Sequence, residues 1–234
     1  MNPVLVAIVF AICAGAVVAV SARDSGAASI GLTIALVAAA LLVEPLPSAA
    51  ILGVRVVAAL LVATIIRSAV RGGQRQPSPL GWPAEALLAT AGAIAGLGVA
   101  VGLAAVAAAG GVPVGVPGAP GPGVPEVAGG GTLTSMAITV AAGTSLLALA
   151  IAPLIHGQPG VRRAIGLVLV TQAVLLIRVG LAGPGVDLEE VARAALLVTA
   201  AATGAALARA ATVARTAEEA DVDVLEGRRP VPAR

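Results

Sequence analysis

The chain has 234 residues, of which 59% are hydrophobic and 11% are charged, with a formal net charge of +2. Soluble domains carry about a quarter charged residues, so a chain this apolar is predicted to be an integral membrane protein. Nucleic-acid binding has no support, because a single Trp and a single Phe cannot interleave a basic patch with aromatic side chains.

Seven apolar stretches are long enough to cross a bilayer, since about 20 helical residues at 1.5 Å each cover the ~30 Å hydrocarbon layer. They lie at roughly 3–21, 28–43, 48–66, 84–109, 132–155, 164–182 and 191–214. The stretch at 28–43 is short, and it requires Glu44 to lie at the membrane interface. We therefore predict an all-α integral membrane protein with about seven transmembrane helices.

The arginines indicate the orientation of these helices. With the N-terminus outside and the C-terminus inside, the cytoplasmic segments and adjoining helix ends hold eleven arginines, and the outer loops hold one, Arg193. This is the positive-inside bias expected of a correctly counted topology. The eleven are Arg23, Arg67, Arg71, Arg75, Arg162, Arg163, Arg209, Arg215, Arg228, Arg229 and Arg234.

Composition divides the chain into four parts. Residues 1–109 form an N-terminal bundle of four helices, and 132–214 form a C-terminal unit of three. The extracytoplasmic stretch between them, "GGVPVGVPGAPGPGVPEVAGGG" at 110–131, is predicted not to be helical, because Pro removes hydrogen-bond donors and Gly costs conformational entropy. It is a linker, or else a loop over a partner subunit. Residues 215–234 form a polar cytoplasmic tail.

A faint internal repeat relates the two ends of the chain. "SIGLTIALVAAALLV" at 29–43 is similar to "AIGLVLVTQAVLLI" at 164–177. Each stretch is followed by an outer loop and then by a helix with an arginine early in it, Arg55 or Arg193. Spans one to three and five to seven would then be copies with the same orientation. Chance similarity between sequences rich in Ala and Val is the alternative.

Two arginines lie at membrane depth, where a charge costs about 2.5–3.5 kcal/mol on insertion scales. Arg55 is early in the third span, and Glu44 on the preceding turn is a candidate salt-bridge partner. Arg178 lies near the outer end of the sixth span, opposite the acidic residues in 187–190. Each pair either fixes neighbouring helices together or belongs to an ion path.

Thr171 and Gln172 lie near the middle of the sixth span. A threonine hydroxyl can donate to a carbonyl of its own helix, whereas a glutamine amide needs a partner on another helix or water. Gln172 therefore indicates either a contact between helices or a hydrated path.

Catalytic chemistry has little support. The sequence contains one His, one Cys, no Tyr and no Lys, so a nucleophile with its base is not available. His156 has no second ligand at metal-binding spacing, and Cys13 has no cysteine with which to form a disulfide. We expect no catalytic residue, no metal site and no cofactor.

The C-terminal third, "HGQPGVRRAIGLVLVTQAVLLIRVGLAGPGVDLEEVARAALLVTAAATGAALARAATVARTAEEADVDVLEG", resembles subunit K of respiratory complex I and, more closely, component E of hydrogenase-4. The resemblance rests on a basic loop before an "IGL" helix, an acidic outer loop and the "DVDVLEG" ending. In the first half, "ILGVRVVAALLVATIIRSAVRG" is similar to a helix in which that family has an intramembrane lysine, a position that Arg55 would occupy.

The resemblance implies a non-catalytic subunit in the bacterial cytoplasmic membrane, beside antiporter-like and other membrane subunits of a redox-driven proton or sodium pump. Arg55, Thr171, Gln172 and Arg178 would line or brace a polar axis. The chain departs from the family pattern where a buried glutamate is expected, because Thr171 and Gln172 stand there and cannot carry a proton near neutral pH. The polar axis is therefore interpreted as one that has lost its titratable member.

Two other functions stay open. A small secondary transporter would be expected to carry paired polar sites in matching helices, but 29–43 has only Thr33, near its cytoplasmic end. A purely structural membrane protein without an ion path is the other alternative.

Overall fold

A computed structural model of the chain describes residues 3–22, 24–42, 48–70, 82–109, 129–155, 160–183 and 185–225. Within these ranges the regular elements are seven α-helices, and the expectation of an all-α membrane protein with about seven helices is confirmed. They are α1 (Pro3–Ser21), α2 (Ser25–Leu41), α3 (Ala49–Val70), α4 (Trp82–Ala109), α5 (Gly129–Ile155), α6 (Val161–Ala182) and α7 (Asp187–Leu225).

Five described segments are long and apolar enough to cross a membrane, which identifies a multi-pass membrane protein. They are Pro3–Ser21, Ala49–Ala69, Ala137–Ile155, Val161–Ala182 and Asp187–Ala214. Two shorter apolar segments, Gly26–Leu41 and Ala86–Val99, belong to α2 and α4. The short second span predicted at 28–43 is thus also short in the structure.

The predicted end of the Gly/Pro-rich linker is wrong by three residues, because α5 already begins at Gly129. A helix that is stabilised further along adds residues at its start without a new nucleation cost. The first four N–H groups of a helix have no partner within it, so glycines there lose no hydrogen bond that a better helix former would make. Residues 110–128 of the linker lie outside the described part of the chain.

The first part of the predicted polar tail is helical. Helix α7 continues past 214 to Leu225, so residues 215–225 are helical. The sequence contains no Gly or Pro between Arg215 and Gly227, and extending an existing helix through Ala, Glu and Val avoids the cost of nucleation. Residues 226–234 lie outside the described residues.

Glycines and alanines bring neighbouring helices into close contact. A Cβ atom added at Gly15 of α1 would lie 2.7 Å from Gly31 O and 2.8 Å from Ala35 N of α2. Such close backbone approach is the main source of helix association in a bilayer, where apolar side chains gain little by leaving lipid. Hydroxyls add to it: Ser145 Oγ of α5 donates to Ala89 O of α4 at 2.8 Å.

Polar contacts at both ends show that α3 and α7 run parallel. Near their starts, Arg55 of α3 contacts Glu190 of α7. Towards their other ends, Arg209 Nη2 of α7 lies 3.3 Å from Ser68 Oγ of α3. The beginning of α6 is also at this second end, since Gly160 packs against Ala208 of α7. Helix α6 is therefore antiparallel to α7, as an up-and-down path through the membrane requires.

We predict that residues 71–81 and the end of the chain lie on the same, cytoplasmic side of the membrane. Green fluorescent protein fused at either place should fluoresce, and alkaline phosphatase fused there should be inactive, because each reporter works on one side of the membrane only. A fusion within 110–128 should give the opposite pair of results. Opposite locations for 71–81 and the end of the chain would show that the number of spans is wrong.

Candidate functional site

Five charged side chains meet where α3 and α7 begin and α6 ends. We call these residues the charge cluster: Arg178, Glu189, Arg193, Glu190 and Arg55. Four ion pairs connect them in that order, so positive and negative groups alternate along the series, and an arginine stands at each end. The cluster joins α3, α6 and α7 at the predicted outer side of the membrane.

The pair formed by Arg55 and Glu190 is the most buried contact between different helices in this cluster. Arg55 Nε and Nη2 donate to Glu190 Oε2 at 3.0 and 2.5 Å, and Arg55 Nη1 donates to Ala40 O of α2 at 3.1 Å. The side chains of Arg55 and Glu190 are only 12% and 6% exposed. The expected partner, Glu44, lies outside the described residues; the carboxylate that the structure places on Arg55 is Glu190, from a different part of the chain.

Arg193 holds both acidic residues from within α7. Its Nη1 donates to Glu190 Oε1, and its Nη2 donates to Glu189 Oε1 at 3.0 Å. These are i,i+3 and i,i+4 pairs, which lie on one face of a helix. Both carboxylate oxygens of Glu190 are therefore bound, each by a different arginine. Arg193 Nε is buried and has no hydrogen-bond partner among the described residues.

Arg178 pairs with Glu189, as its place opposite the acidic loop predicts. Its side chain is 44% exposed and that of Glu189 is 32% exposed. Ion pairs with this much exposure contribute about 0–1 kcal/mol in water. Arg178 therefore forms the outer edge of the charge cluster rather than its buried centre.

The two polar residues in the middle of α6 differ in their surroundings. Thr171 Oγ1 donates to Leu167 O of its own helix at 2.9 Å, which satisfies the hydroxyl as expected. Gln172 instead faces a cleft between α2, α3, α6 and α7, and its amide makes no hydrogen bond to a described residue. The structure therefore places Thr171 in neither the cleft nor the charge cluster, whereas Arg55 and Gln172 line the cleft and Arg178 belongs to the cluster alone.

The cleft connects Gln172 with the charge cluster. It has a volume of about 60 Å³, and its polar lining consists of Arg55, Gln172, Glu190 and Arg193. The remaining lining is leucine, alanine and valine. From Val179 to Gln172, both in this lining, α6 rises by about 10 Å, so the cleft extends from the charge cluster towards mid-membrane.

The cleft contains a carboxylate that the interpretation of a polar axis without a titratable residue did not include. Glu190 lies in the same cleft as Gln172, although it comes from α7 and not from α6. The sequence did not point to Glu190 because the last span was predicted to begin at 191. In the structure α7 begins at Asp187, which brings Glu189 and Glu190 into its first turn. Their spacing of three and four residues from Arg193 was the available signal.

The contacts around two glycines agree with the predicted repeat. A Cβ atom added at Gly31 would lie 2.7 Å from Gly15 O of α1, and one added at Gly166 would lie 3.3 Å from Ala150 O of α5. Gly166 follows Gly31, and Ala150 follows Gly15, by the same interval of 135 residues. The α1–α2 and α5–α6 crossings thus share one register, and the cleft lies between α2 and α3 of one half and α6 and α7 of the other.

In the described part of the chain, no three His, Cys, Asp or Glu residues are grouped so that they could hold a metal ion. His156 lies outside that part. The two carboxylates of the charge cluster are bound by arginines, which makes the cluster suited to holding helices and binding polar groups.

Comparison with models of protein families, with curated proteins and with solved structures found no match for this chain.

Proposed function

We propose that the chain is a non-catalytic subunit of a redox-driven assembly of the hydrogenase-4 or complex I type, which translocates protons or sodium ions across the bacterial cytoplasmic membrane. Its partners would be antiporter-like and other membrane subunits. The proposal starts from the resemblance of residues 156–227 and of the Arg55 helix to component E and subunit K.

One structural observation supports the proposal above the others: a buried carboxylate held by two arginines lies in the same cleft as an amide at mid-membrane. Charged side chains inside a bilayer are expensive, and they commonly mark ion pathways and proton relays. Glu190 supplies a carboxylate to this cleft, a chemical group that Thr171 and Gln172 do not have. The cleft is large enough to hold water between Gln172 and Glu190.

Purification of the full chain in a mild detergent tests the proposal. We expect antiporter-like and redox subunits to accompany the tagged chain in a fixed ratio, and the same set to be recovered when one of those subunits carries the tag. Mass spectrometry of the purified material is the measurement. Membership of such an assembly would be contradicted if the tagged chain were recovered alone and the tagged partner subunits were recovered without this chain.

The Arg55→Ala variant of the intact assembly tests the ion path separately. Redox-coupled proton or sodium uptake into vesicles should fall while electron transfer and subunit composition are retained. Arg209→Ala is the matched control, because Arg209 is an exposed arginine of α7 that lies beside Ser68, far from the charge cluster and near the end of α3. Unchanged uptake in the Arg55 variant would remove this residue from the ion path.

A small secondary transporter is the second candidate, and the shared register of the α1–α2 and α5–α6 crossings favours it. Many transporters consist of two repeats, with the substrate site near mid-membrane where the repeats meet. The cleft lies at that position between the two halves of this chain. A chain that purifies alone and moves a solute across vesicles without any redox subunit would favour the transporter over the accessory subunit.

A further inference from the structure

Hydrogen-bond donors outnumber acceptors in the lining of the cleft. A guanidinium group has five N–H donors. Arg55 uses three of its five in the bonds to Glu190 and Ala40, and Arg193 uses two in the bonds to Glu189 and Glu190. The Gln172 amide adds two further N–H groups that bind no described residue.

Most acceptor sites in the lining are already occupied, because three of the roughly four lone-pair sites of the Glu190 carboxylate receive arginine N–H groups. Glu190 accepts from Arg55 through Oε2 and from Arg193 through Oε1. The Gln172 carbonyl is one remaining side-chain acceptor, and the rest of the lining is leucine, alanine and valine. A molecule that enters the cleft would therefore be bound mainly through the hydrogen bonds that it accepts.

The balance of charge narrows the class of molecule. The lining of the cleft contains two arginines, Arg55 and Arg193, and one glutamate, Glu190, so it carries more positive than negative charge. The second carboxylate that binds Arg193, Glu189, lies outside the lining and is shared with the exposed Arg178. Asp187, the other acidic residue at this end of α7, is exposed and belongs to no ion pair of the cluster. An uncompensated charge in a medium of low dielectric is costly, and an anion would offset that cost.

The size of the cleft narrows the class further. On the scale of its volume of about 60 Å³, one water molecule needs about 10–15 Å³. The cleft can hold one small anion but not a sugar acid or a nucleotide. We infer that the cleft is a binding site for one small monovalent anion, of the size of chloride, nitrate or formate, held by Arg193, Arg55 and the Gln172 amide.

This inference does not depend on the proposed membership of a redox assembly. Its test uses the full chain in mild detergent, together with any subunits that accompany it. Thermal unfolding is followed in sodium chloride, nitrate or formate at constant ionic strength, with sodium gluconate as the balancing salt. The small anions should raise the midpoint in a saturable way, by about 5–10 °C at a hundred times the dissociation constant. Gluconate, which is too large for the cleft, should not.

The Gln172→Leu variant connects the effect to the cleft. It should bind the small anions at least tenfold more weakly, whereas Thr171→Val, a change in the neighbouring residue outside the cleft, should bind them like the wild type. Equilibrium dialysis of the wild type with radiolabelled chloride or formate measures binding even if a variant does not fold. One bound anion per chain is expected.

Three results would overturn the inference. The first is equal stabilisation by gluconate and chloride, and the second is unaltered binding by Gln172→Leu. The third is a wild type that binds no small anion. If Glu44→Gln then binds one, the Glu44 carboxylate already supplies the missing negative charge. Each result leaves the recovery of redox subunits unaffected, so the inference can fail while the proposed function holds.

Discussion

Replacing Glu190 by glutamine is expected to lower the free energy of unfolding by about 3 kcal/mol. The substitution keeps the shape of the side chain but removes the negative charge shared by Arg55 and Arg193, which are 12% and 9% exposed. Removing one partner of a buried ion pair typically costs about 3–5 kcal/mol, because the other charge stays buried without compensation. The measurement is unfolding of the purified chain in mixed micelles with increasing sodium dodecyl sulfate.

Glu189→Gln is the matched control, since it makes the same chemical change one residue away. Glu189 is 32% exposed and its partner Arg178 is 44% exposed, so water can compensate for much of that lost pairing. Its other partner, the buried Arg193, keeps its ion pair with Glu190. We expect a loss of about 1 kcal/mol or less. Equal losses for the two variants would mean that Glu190 is not a buried centre of the charge cluster.

A double variant measures the energy of the interaction between Arg55 and Glu190 separately from the cost of leaving one of them buried without its partner. Arg55→Met combined with Glu190→Met should be less destabilising than the sum of the two single changes. Each single variant leaves the other charged residue of the pair buried beside a methionine, and the double variant does not have this cost. Additive losses would show that Arg55 and Glu190 do not interact.

Hydropathy and charge bias predicted the helices well, because a bilayer requires every spanning segment to satisfy its own backbone hydrogen bonds. Contacts between residues that are close in sequence were predictable too, because they depend on local geometry. Thr171 binds the carbonyl of Leu167 in its own helix, and Arg178 binds Glu189 across a short loop. Both partners lie within reach whatever the tertiary arrangement.

The centre of the charge cluster was not predictable in this way. Arg55 and Glu190 are 135 residues apart, and their contact depends on α3 packing beside α7, which neither helix specifies alone. Hydropathy also placed the start of the last span after Glu190, since a window that averages side-chain polarity excludes acids. In the structure those acids are neutralised by arginines, so the helix can begin at Asp187.

Replacing Gly31 by alanine is expected to destabilise the fold by about 2–3 kcal/mol. The new Cβ atom would lie 2.7 Å from Ala19 N and from Gly15 O, and backbone atoms cannot move aside as a side chain can. Helices α1 and α2 would have to separate, with the loss of close-packed contacts that bilayer helices depend on. Unfolding in mixed micelles with sodium dodecyl sulfate is again the measurement.

Gly98→Ala is the matched control, because Gly98 lies in the apolar segment Ala86–Val99 of α4 and an added Cβ atom there would meet no described atom within 4 Å. Alanine is the better helix former by about 1 kcal/mol, so this variant should be as stable as the wild type or more stable. The two identical substitutions should therefore have effects of opposite sign. Since α2 also supplies Ala40 O to Arg55, separation of α1 and α2 should loosen the charge cluster as well. Equal effects at both glycines would mean that α1 and α2 do not meet at Gly31, and the arrangement of α2 beside the cleft would then be wrong.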